Sequence, residues 1–253
     1  MLHSIVIDDK DQSGKNPLLI AHGLFGSARN WGVLARRLAD RRKVIAVDMR
    51  NHGNSPWSDG NSYADMAGDL AGVIDGQADV LGHSMGGKAA MLLALSQPDK
   101  VSRLIVADVA PVAYDHSQNL LIDAMQSVDL ARVGNRRDAD QMLAGAVPED
   151  AVRAFLLQSL DLKGETPRWM LNLDVLRAEM PKIIGFPAVT ARFERPALFL
   201  TGDRSDYVQN SDHARILELF PMAEFRQVEN AGHWLHAENP RMFESEVRAF
   251  LES

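Results

Sequence analysis

The sequence predicts an α/β fold in which a mostly parallel central sheet is flanked by helices. Short apolar runs that end at turn residues alternate with longer stretches of helical periodicity. The apolar runs are candidate strands, and they cover Leu18–Ala21, Val44–Val47, Val80 and Leu81, residues 104–107 and residues 197–200. Because these runs are apolar throughout rather than alternating, they fit parallel strands that are buried on both faces.

Helical patterns lie between the candidate strands and after the last of them. Apolar residues recur at helical spacing over residues 31–38, and residues 85–96 form a second helix that Pro98 closes. Residues 242–251 form the final helix. An alternation of strands and helices implies a parallel sheet with helices on both sides.

Residues 114–190 break the alternation. They contain helical patterns at residues 120–125 and 150–160 but no convincing buried strand. Insertions into α/β folds tend to lie above the strand ends where ligands bind. We therefore expect a mainly helical cap at residues 114–190, inserted after the strand that ends at Asp108, over a core of residues 1–113 and 191–253. The alternative is that these helices belong to the layers beside the sheet.

Composition and charge exclude several classes of protein. The net charge of −7 argues against a nucleic-acid or anionic-membrane partner, since either would favour a basic face. The absence of cysteine excludes disulfides, thiol nucleophiles and thiolate metal sites. The apolar run Ile5-Val6-Ile7 is too short for a signal peptide, and acidic residues follow it. We expect a cytoplasmic, single-domain protein without a membrane span, and nothing in the sequence indicates its oligomeric state.

The strongest chemical signal is a G-x-S-x-G motif, Gly82-His83-Ser84-Met85-Gly86, followed by Gly87. It lies directly after a candidate strand and opens the helix at residues 85–96. A strained turn at this point presents the serine oxygen above the sheet, and the glycines let strand and helix approach closely. The motif predicts that Ser84 is a nucleophile, with the Met85 N–H available to stabilise an oxyanion.

A second signal follows the first strand, His22-Gly23-Leu24-Phe25-Gly26. The backbone here can supply a second N–H to the oxyanion. We expect the donor to be Leu24, with Phe25 as the alternative, acting beside Met85.

A serine hydroxyl needs a nearby imidazole to take its proton. His233, in Ala231-Gly232-His233-Trp234, is the histidine late in the chain that follows a strand and a glycine turn. A metal pair of His233 and His236 is conceivable, but no cluster of carboxylates completes it. We therefore predict His233 as the base, and no metal.

The residues alone do not decide which carboxylate completes a catalytic triad with Ser84 and His233. The loop after residues 197–200 offers Asp203 and Asp206, but each is out of step with the common pattern Gly-x-x-Asp, which puts Ser205 at the acid's place. Asp108, at the end of the preceding strand, can also reach the imidazole. Geometry rather than chain position defines this role.

Taken together, these motifs resemble the α/β-hydrolase superfamily over nearly the full chain. More narrowly, they resemble the small bacterial esterases of the YbfF type and the eukaryotic abhydrolase-domain proteins. The resemblance rests on His22-Gly23-Leu24-Phe25-Gly26, Asp48-Met49-Arg50-Asn51-His52-Gly53, Gly82-His83-Ser84-Met85-Gly86-Gly87-Lys88, Asp108-Val109-Ala110-Pro111-Val112 and Ala231-Gly232-His233-Trp234.

The resemblance implies an α/β-hydrolase fold with a helical cap, and hydrolysis of short- to medium-chain acyl esters or thioesters without a cofactor. It also implies that Asp108 is the acid and Ser205 a supporting hydrogen-bond partner. Relatives with Asp at the elbow, such as dehalogenases, are excluded by Ser84. Carbon–carbon bond hydrolases, perhydrolases and non-catalytic ligand-binding relatives remain as alternatives, because fold does not fix function.

The cap offers two groups of candidate contacts for a substrate, although apolar residues at helical spacing more often belong to a core. The candidate pocket walls are Met125, Met142, Phe155, Leu156, Trp169 and Met170. The cations that could meet an acidic substrate are Arg153, Lys163 and Arg168.

Overall fold

The computed structural model describes residues 1–8 and 13–253. Its main element is a seven-stranded sheet in the strand order β1-β3-β2-β4-β5-β8-β9. Those strands are β1 Ser4–Ile7, β2 Leu18–Ala21, β3 Val44–Val47, β4 Ala78–His83, β5 Val101–Ala107, β8 Ala197–Gly202 and β9 Ala223–Val228. All neighbouring pairs are parallel except β1 with β3, which is antiparallel. The predicted mostly parallel sheet is confirmed.

Helices cover both faces of the sheet. In the core they are α1 Gly32–Leu38, α2 Tyr63–Val73, α3 Met85–Ser96, α9 His213–Leu219, α10 Leu235–Glu238 and α11 Pro240–Leu251. Helices α1, α10 and α11 bury their apolar residues in one cluster, and α2, α3 and α9 bury theirs in a second cluster on the opposite face. Because both faces are covered, the central strands β2 and β4 are buried at every position.

Both edge strands and α2 lie outside the elements that the apolar runs predicted. The edge strands β1 and β9 are only partly buried, and β9 reads AEFRQV, with charged residues between its apolar ones. A strand with one neighbour and a solvated side needs no continuous apolar run, so the pattern that identified the central strands does not identify these.

Between β5 and β8 the chain leaves the sheet; we call residues 114–190 the insertion. Its helices are α4 Asn119–Gln126, α5 Arg136–Leu143, α6 Asp150–Leu156, α7 Leu173–Ala178 and α8 Met180–Ile184. It also holds a small antiparallel pair, β6 Leu160–Asp161 and β7 Arg168–Trp169. The sequence did not indicate this pair, because two residues are too few to show a strand period.

Within residues 1–8 and 13–253, no helix has the length and apolar character needed to cross a membrane. Residues 9–12, which include acidic residues noted after Ile7, lie outside the described residues. The cytoplasmic location expected from the sequence stays a prediction.

Candidate active site

Ser84 lies at a sharp turn between β4 and α3. Its backbone has φ of 52° and ψ of −120°, and residues other than glycine rarely adopt such a positive φ. The turn is closely packed: a Cβ on Gly82 would collide with the carbonyl of Gly86, and a Cβ on Gly86 would collide with the carbonyl of Ala21. Only glycine fits these two positions, and the result is a serine that stands clear of the sheet.

The His233 imidazole lies between Ser84 and Asp108. Its Nε2 is 3.1 Å from Ser84 Oγ, and its Nδ1 is 2.7 Å from Asp108 Oδ2. The carboxylate can only accept, so the proton is on Nδ1 and Nε2 presents a lone pair to the serine hydroxyl. The structure thus brings together three of the predicted residues in the order that proton transfer from a serine needs.

Asp108 is fully buried and directly follows β5. Its Oδ1 accepts from the Gly202 N–H at 3.2 Å, and its Oδ2 also accepts from the Ser205 hydroxyl at 2.5 Å. These hydrogen bonds hold the buried carboxylate in place beside the imidazole. Ser205 therefore lies where the sequence placed a supporting partner.

The two aspartates of the 203–206 loop make other contacts. Asp203 accepts from the Ala231 N–H at 3.0 Å, and its carboxylate lies 3.9 Å from the guanidinium of Arg204. Asp206 offers its backbone carbonyl to the side chain of Gln209. Asp203 thus holds the chain that leads to His233, while the imidazole itself is bonded to Asp108.

An aromatic residue that the sequence did not indicate packs against the His233 ring. Tyr207 stacks on it, with ring centroids 3.7 Å apart and an angle of 15° between the planes. The Tyr207 carbonyl accepts from the Tyr114 hydroxyl at 2.7 Å, and its own hydroxyl is 3.1 Å from His116 Nε2. Since Tyr114 and His116 belong to the insertion, the orientation of His233 is tied to that segment.

His83 fixes the backbone of His233 from the other side. Its Nε2 lies 2.8 Å from the His233 carbonyl, which can only accept. Burial, together with the neighbouring His233 and His236, lowers the pKa of His83 well below its usual value. His83 is therefore neutral and donates its single N–H to that carbonyl.

Gly23 and Leu24 lie in the wall of the same cavity as Ser84. The peptide between them has a fixed direction. Its carbonyl accepts from the Gly26 N–H at 3.0 Å and from His22 Nδ1 at 2.7 Å. Because a trans peptide points its N–H away from its carbonyl, these bonds direct the Leu24 N–H to the opposite side. Among residues 1–8 and 13–253, neither this N–H nor that of Met85 has a hydrogen-bond partner.

The alternative oxyanion donor, Phe25, is already engaged. Its N–H donates to His52 Nε2 at 3.2 Å. The N–H of Phe25 is therefore occupied, whereas the N–H groups of Leu24 and Met85 are available to a ligand.

A cavity of about 140 Å³ opens beside Ser84 and His233. The core contributes Leu24, Met85 and Trp234 to its walls, and the insertion contributes Leu121, Val152, Phe155, Met180 and Ile183, among others. Of the pocket walls proposed from the sequence, Phe155 lines this cavity; Met125 and Trp169 line a separate shallow groove, and Leu156 is part of the core. The walls beside the nucleophile are thus mainly apolar.

Lys88, one turn of α3 after Ser84, has a buried ammonium group. Its Nζ donates to the carbonyls of Val112, Ile184 and Gly185 at 2.7, 2.8 and 2.6 Å. Burial lowers the pKa of Lys88 to about 7, while the three carbonyls stabilise its ammonium form. All three of its donors are used, so Lys88 ties the insertion to α3 rather than offering a charge to a ligand.

The cations considered for an acidic substrate lie away from the cavity walls. Arg153 is bound by the carboxylates of Asp140 and Asp150 and by two backbone carbonyls. Arg168 lies 3.6 Å from Asp161.

In the part of the chain that the structure describes, no group of three or more His, Cys, Asp or Glu side chains could hold a metal ion. The His236 ring stacks on Trp31 at a centroid distance of 4.3 Å, whereas His233 turns toward Ser84 and Asp108.

Known proteins resemble this chain over most of its length. The family model described as "Alpha/beta hydrolase family" matches residues 18–246. The mouse protein named sn-1-specific diacylglycerol lipase ABHD11 is 43% identical over 246 residues, which cover 92% of this chain and 80% of that protein. Esterase YbfF of Escherichia coli is 37% identical over 96% of this chain and 95% of its own length.

A solved structure named Marine microorganism esterase superimposes with a TM-score of 0.92. It is 37% identical, and the match covers 98% of each chain. The resemblance inferred from the motifs is confirmed, and the sheet and flanking helices are those of the α/β-hydrolase fold. The chain belongs to the alpha/beta hydrolase family, among relatives that are named as esterases and lipases.

Proposed function

We propose that the protein is a serine carboxylesterase that hydrolyses short- to medium-chain acyl esters, or the corresponding thioesters, through Ser84, His233 and Asp108. The observation that carries the proposal is the hydrogen-bonded series from Ser84 Oγ to His233 Nε2, at 3.1 Å, and from His233 Nδ1 to Asp108, at 2.7 Å. The names of the relatives, esterases and a lipase, support the same class of reaction.

The reaction proceeds in two acyl transfers. Ser84 Oγ attacks the ester carbonyl as His233 Nε2 takes its proton, and the resulting oxyanion accepts from the N–H groups of Leu24 and Met85. The C–O bond then breaks, and His233 returns the proton to the leaving alcohol. A water molecule, deprotonated by His233, attacks the acyl-enzyme and releases the carboxylic acid, and Ser84 recovers its proton.

Asp108 orients the imidazole and stabilises its cation. The buried carboxylate, held by Gly202 and Ser205, keeps the proton of neutral His233 on Nδ1, which leaves Nε2 free to act as the base. Asp203 serves the backbone at Ala231 instead.

We also propose that residues 114–190 act as a cap. The support is that side chains of the insertion line the same cavity as Ser84 and His233. Of the side chains that line this cavity in the described part of the chain, Lys88 is the only lysine or arginine, and its three donors are occupied. A substrate carboxylate would be desolvated without a cation to pair with, so the acyl group is expected to be neutral.

The first test is hydrolysis of p-nitrophenyl esters from acetate to laurate, with Ser84→Ala beside the wild type. We expect turnover with an optimum at short to medium chains, and its loss in Ser84→Ala. Mono-p-nitrophenyl succinate should give a kcat/KM at least about tenfold below that of the butyrate, because its carboxylate must leave water. A protein that is inert to the whole series but reacts with a fluorophosphonate would have another acyl substrate; one inert to both would be a ligand-binding relative.

The acid is tested by a matched pair of variants. Asp108→Asn should lower kcat by about 10³- to 10⁴-fold, because the amide cannot hold the imidazole in the required tautomer. Asp206→Asn should leave kcat close to that of the wild type. The opposite result would assign the acid to the 203–206 loop.

A further inference from the structure

Phe25 directly follows Leu24, and both polar groups of its backbone are engaged. Its N–H donates to His52 Nε2 at 3.2 Å, and its carbonyl accepts from the Ser159 hydroxyl at 2.8 Å. Ser159 is buried and belongs to the insertion. The Phe25 backbone has a φ of 64°, which residues other than glycine rarely adopt, so it needs such bonds to hold it.

The two partners of Phe25 are joined to each other through the insertion. The Ser159 carbonyl accepts from the Met170 N–H at 2.8 Å, and the Met170 carbonyl accepts from the Gly53 N–H at 2.8 Å. Gly53 is the neighbour of His52, which returns to Phe25. These residues form a closed series of hydrogen bonds, which we call the Phe25 ring.

His52 is suited to its place in the Phe25 ring only as a neutral imidazole. A backbone N–H can only donate, so His52 Nε2 must accept from Phe25, and Nδ1 donates to the Arg50 carbonyl at 2.8 Å. Burial, together with the nearby His22, lowers the pKa of His52 to about 3. The acceptor on Nε2 is therefore present throughout the neutral range.

We propose that Ser159 is a positioning residue for the oxyanion hole, a role that rests on the ester hydrolysis proposed above. Its hydroxyl closes the Phe25 ring and fixes the peptide that joins Phe25 to Gly26. The N–H of that peptide, on Gly26, donates to the Gly23 carbonyl, which is also bonded by His22 Nδ1. The Gly23 carbonyl belongs to the peptide that carries the Leu24 N–H, so Ser159, in the insertion, supports the direction of that N–H through Gly26.

The consequence is that the insertion completes the catalytic machinery as well as lining the pocket. A ground-state ester contacts the pocket walls whether or not the Leu24 N–H is well aligned. The oxyanion of the transition state depends on that alignment. Loss of the Ser159 hydroxyl should therefore lower kcat and leave KM nearly unchanged.

The experiment compares Ser159→Ala with Ser159→Thr, which keeps a hydroxyl, and with Ser127→Ala as a control. Ser127 also lies in the insertion, but its hydroxyl bonds the Ala124 carbonyl three residues away. For each variant we would measure kcat and KM for p-nitrophenyl butyrate and the Ki of butylboronic acid, whose adduct with Ser84 resembles the tetrahedral intermediate.

For Ser159→Ala we expect kcat to fall about tenfold, KM to change less than about twofold, and the boronic acid to bind about tenfold more weakly. Ser159→Thr should recover most of the activity, and Ser127→Ala should match the wild type. A folded Ser159→Ala variant with unchanged kcat and boronic acid affinity would overturn the proposal. So would a variant in which only KM rises, since Ser159 would then shape binding alone.

Amide hydrogen exchange separates this proposal from the proposed function. Exchange at the Phe25 N–H should be faster in Ser159→Ala than in the wild type, whether or not the protein hydrolyses esters. A wild type that is inert while Ser159→Ala loosens Phe25 would contradict the esterase function and keep the structural link. An active wild type with equal exchange in both proteins would contradict the link itself.

Discussion

At the scale of single residues, the backbone of Ser84 carries strain that the surrounding packing holds in place. Its positive φ of 52° costs about 1 to 3 kcal/mol for a residue with a Cβ. The Ser84 N–H donates to the Ala107 carbonyl at 3.0 Å, and the Ser84 carbonyl accepts from the Lys88 N–H at 3.0 Å. These bonds fix the turn from both neighbouring elements, so the serine oxygen has one position relative to His233.

This strain leads to a prediction on stability. Ser84→Ala and Ser84→Gly should both be inactive, but Ser84→Gly should be about 1 kcal/mol more stable than Ser84→Ala, because glycine adopts a positive φ without the steric cost. Glycine also gains freedom in the unfolded chain, which keeps the difference small. Urea unfolding of the two variants measures it; equal stability would mean that the strain is no larger than the entropic cost of glycine.

The residues differ in how far the sequence could identify them. Ser84 and His233 have local patterns, a glycine turn after a strand, and these patterns are enough to pick them out. The acid has no such pattern, because the sequence offers carboxylates at the ends of two adjacent strands, Asp108 and the 203–206 loop, and only the folded structure shows that Asp108 contacts the imidazole. Ser159 lies 134 residues from Phe25 and belongs to no motif, so only the folded chain reveals its contact.

At the scale of elements, α3 links Ser84 to the insertion. Ser84 precedes its first turn, and Lys88 lies on its second, with Nζ bonded to the carbonyls of Val112, Ile184 and Gly185. The ammonium also lies 4.5 Å from the centre of the Tyr114 ring. A single helix thus fixes both the reactive oxygen and the point where the chain returns from the insertion.

Removing this link should destabilise the fold. Lys88→Met should lower the free energy of unfolding by about 2 kcal/mol or more, because it removes the Lys88 donor from three carbonyls at a buried site. In the described part of the chain, only one of the three, the Ile184 carbonyl, keeps another donor, the Tyr114 N–H at 3.0 Å. Lys100→Met is the matched control, since the Lys100 ammonium bonds one carbonyl, that of Ile74, at 2.8 Å. Chemical denaturation of both variants gives the comparison. Equal losses would show that the three bonds contribute no more than one.

The strands that the sequence predicted are those that have a neighbour on each side and helices on both faces. The central strands and α3 show their burial in continuous apolar runs. The strands β1 and β9 lie at the edges of the sheet, and β6 and β7 form a short pair. The formation of these strands depends on pairing with residues elsewhere in the chain. Tertiary contacts, rather than local pattern, determine these elements.

At the scale of the whole molecule, a group of neutral histidines is packed around the active site. His22, His52 and His83 are all buried, and burial lowers the pKa of each. In two of them a ring nitrogen accepts a hydrogen bond that needs the neutral ring: His22 Nε2 accepts from the Met49 N–H at 2.9 Å, and His52 Nε2 from the Phe25 N–H at 3.2 Å. Protonation would break these bonds, so the fold depends on pH through residues that take no part in the chemistry.

The sign of this dependence follows from the lowered pKa values. The pKa of His52 is about 3 in the folded protein and about 6.5 in the unfolded chain. Between these two values the unfolded chain binds a proton that the folded protein excludes, so stability falls as the pH falls through this range. From pH 7 to pH 5, His52 alone should account for a loss of about 2 kcal/mol.

Urea unfolding at pH 7 and pH 5 tests this in the wild type and in His52→Gln. The variant should be less stable at pH 7, but its loss between the two pH values should be about 2 kcal/mol smaller. If both proteins lost the same amount, His52 would not be excluding a proton in the folded state.

The two points at which the insertion joins the sheet bear on whether it could be replaced by another segment. It leaves the sheet after β5 and returns at β8, and these strands are hydrogen-bonded neighbours. A module whose two attachment points are adjacent can be exchanged for another without changing the strand order, in evolution or in the laboratory. The Phe25 ring sets a condition on such an exchange. A chimaera whose new insertion lacks a hydroxyl for the Phe25 carbonyl should bind esters normally but hydrolyse them slowly.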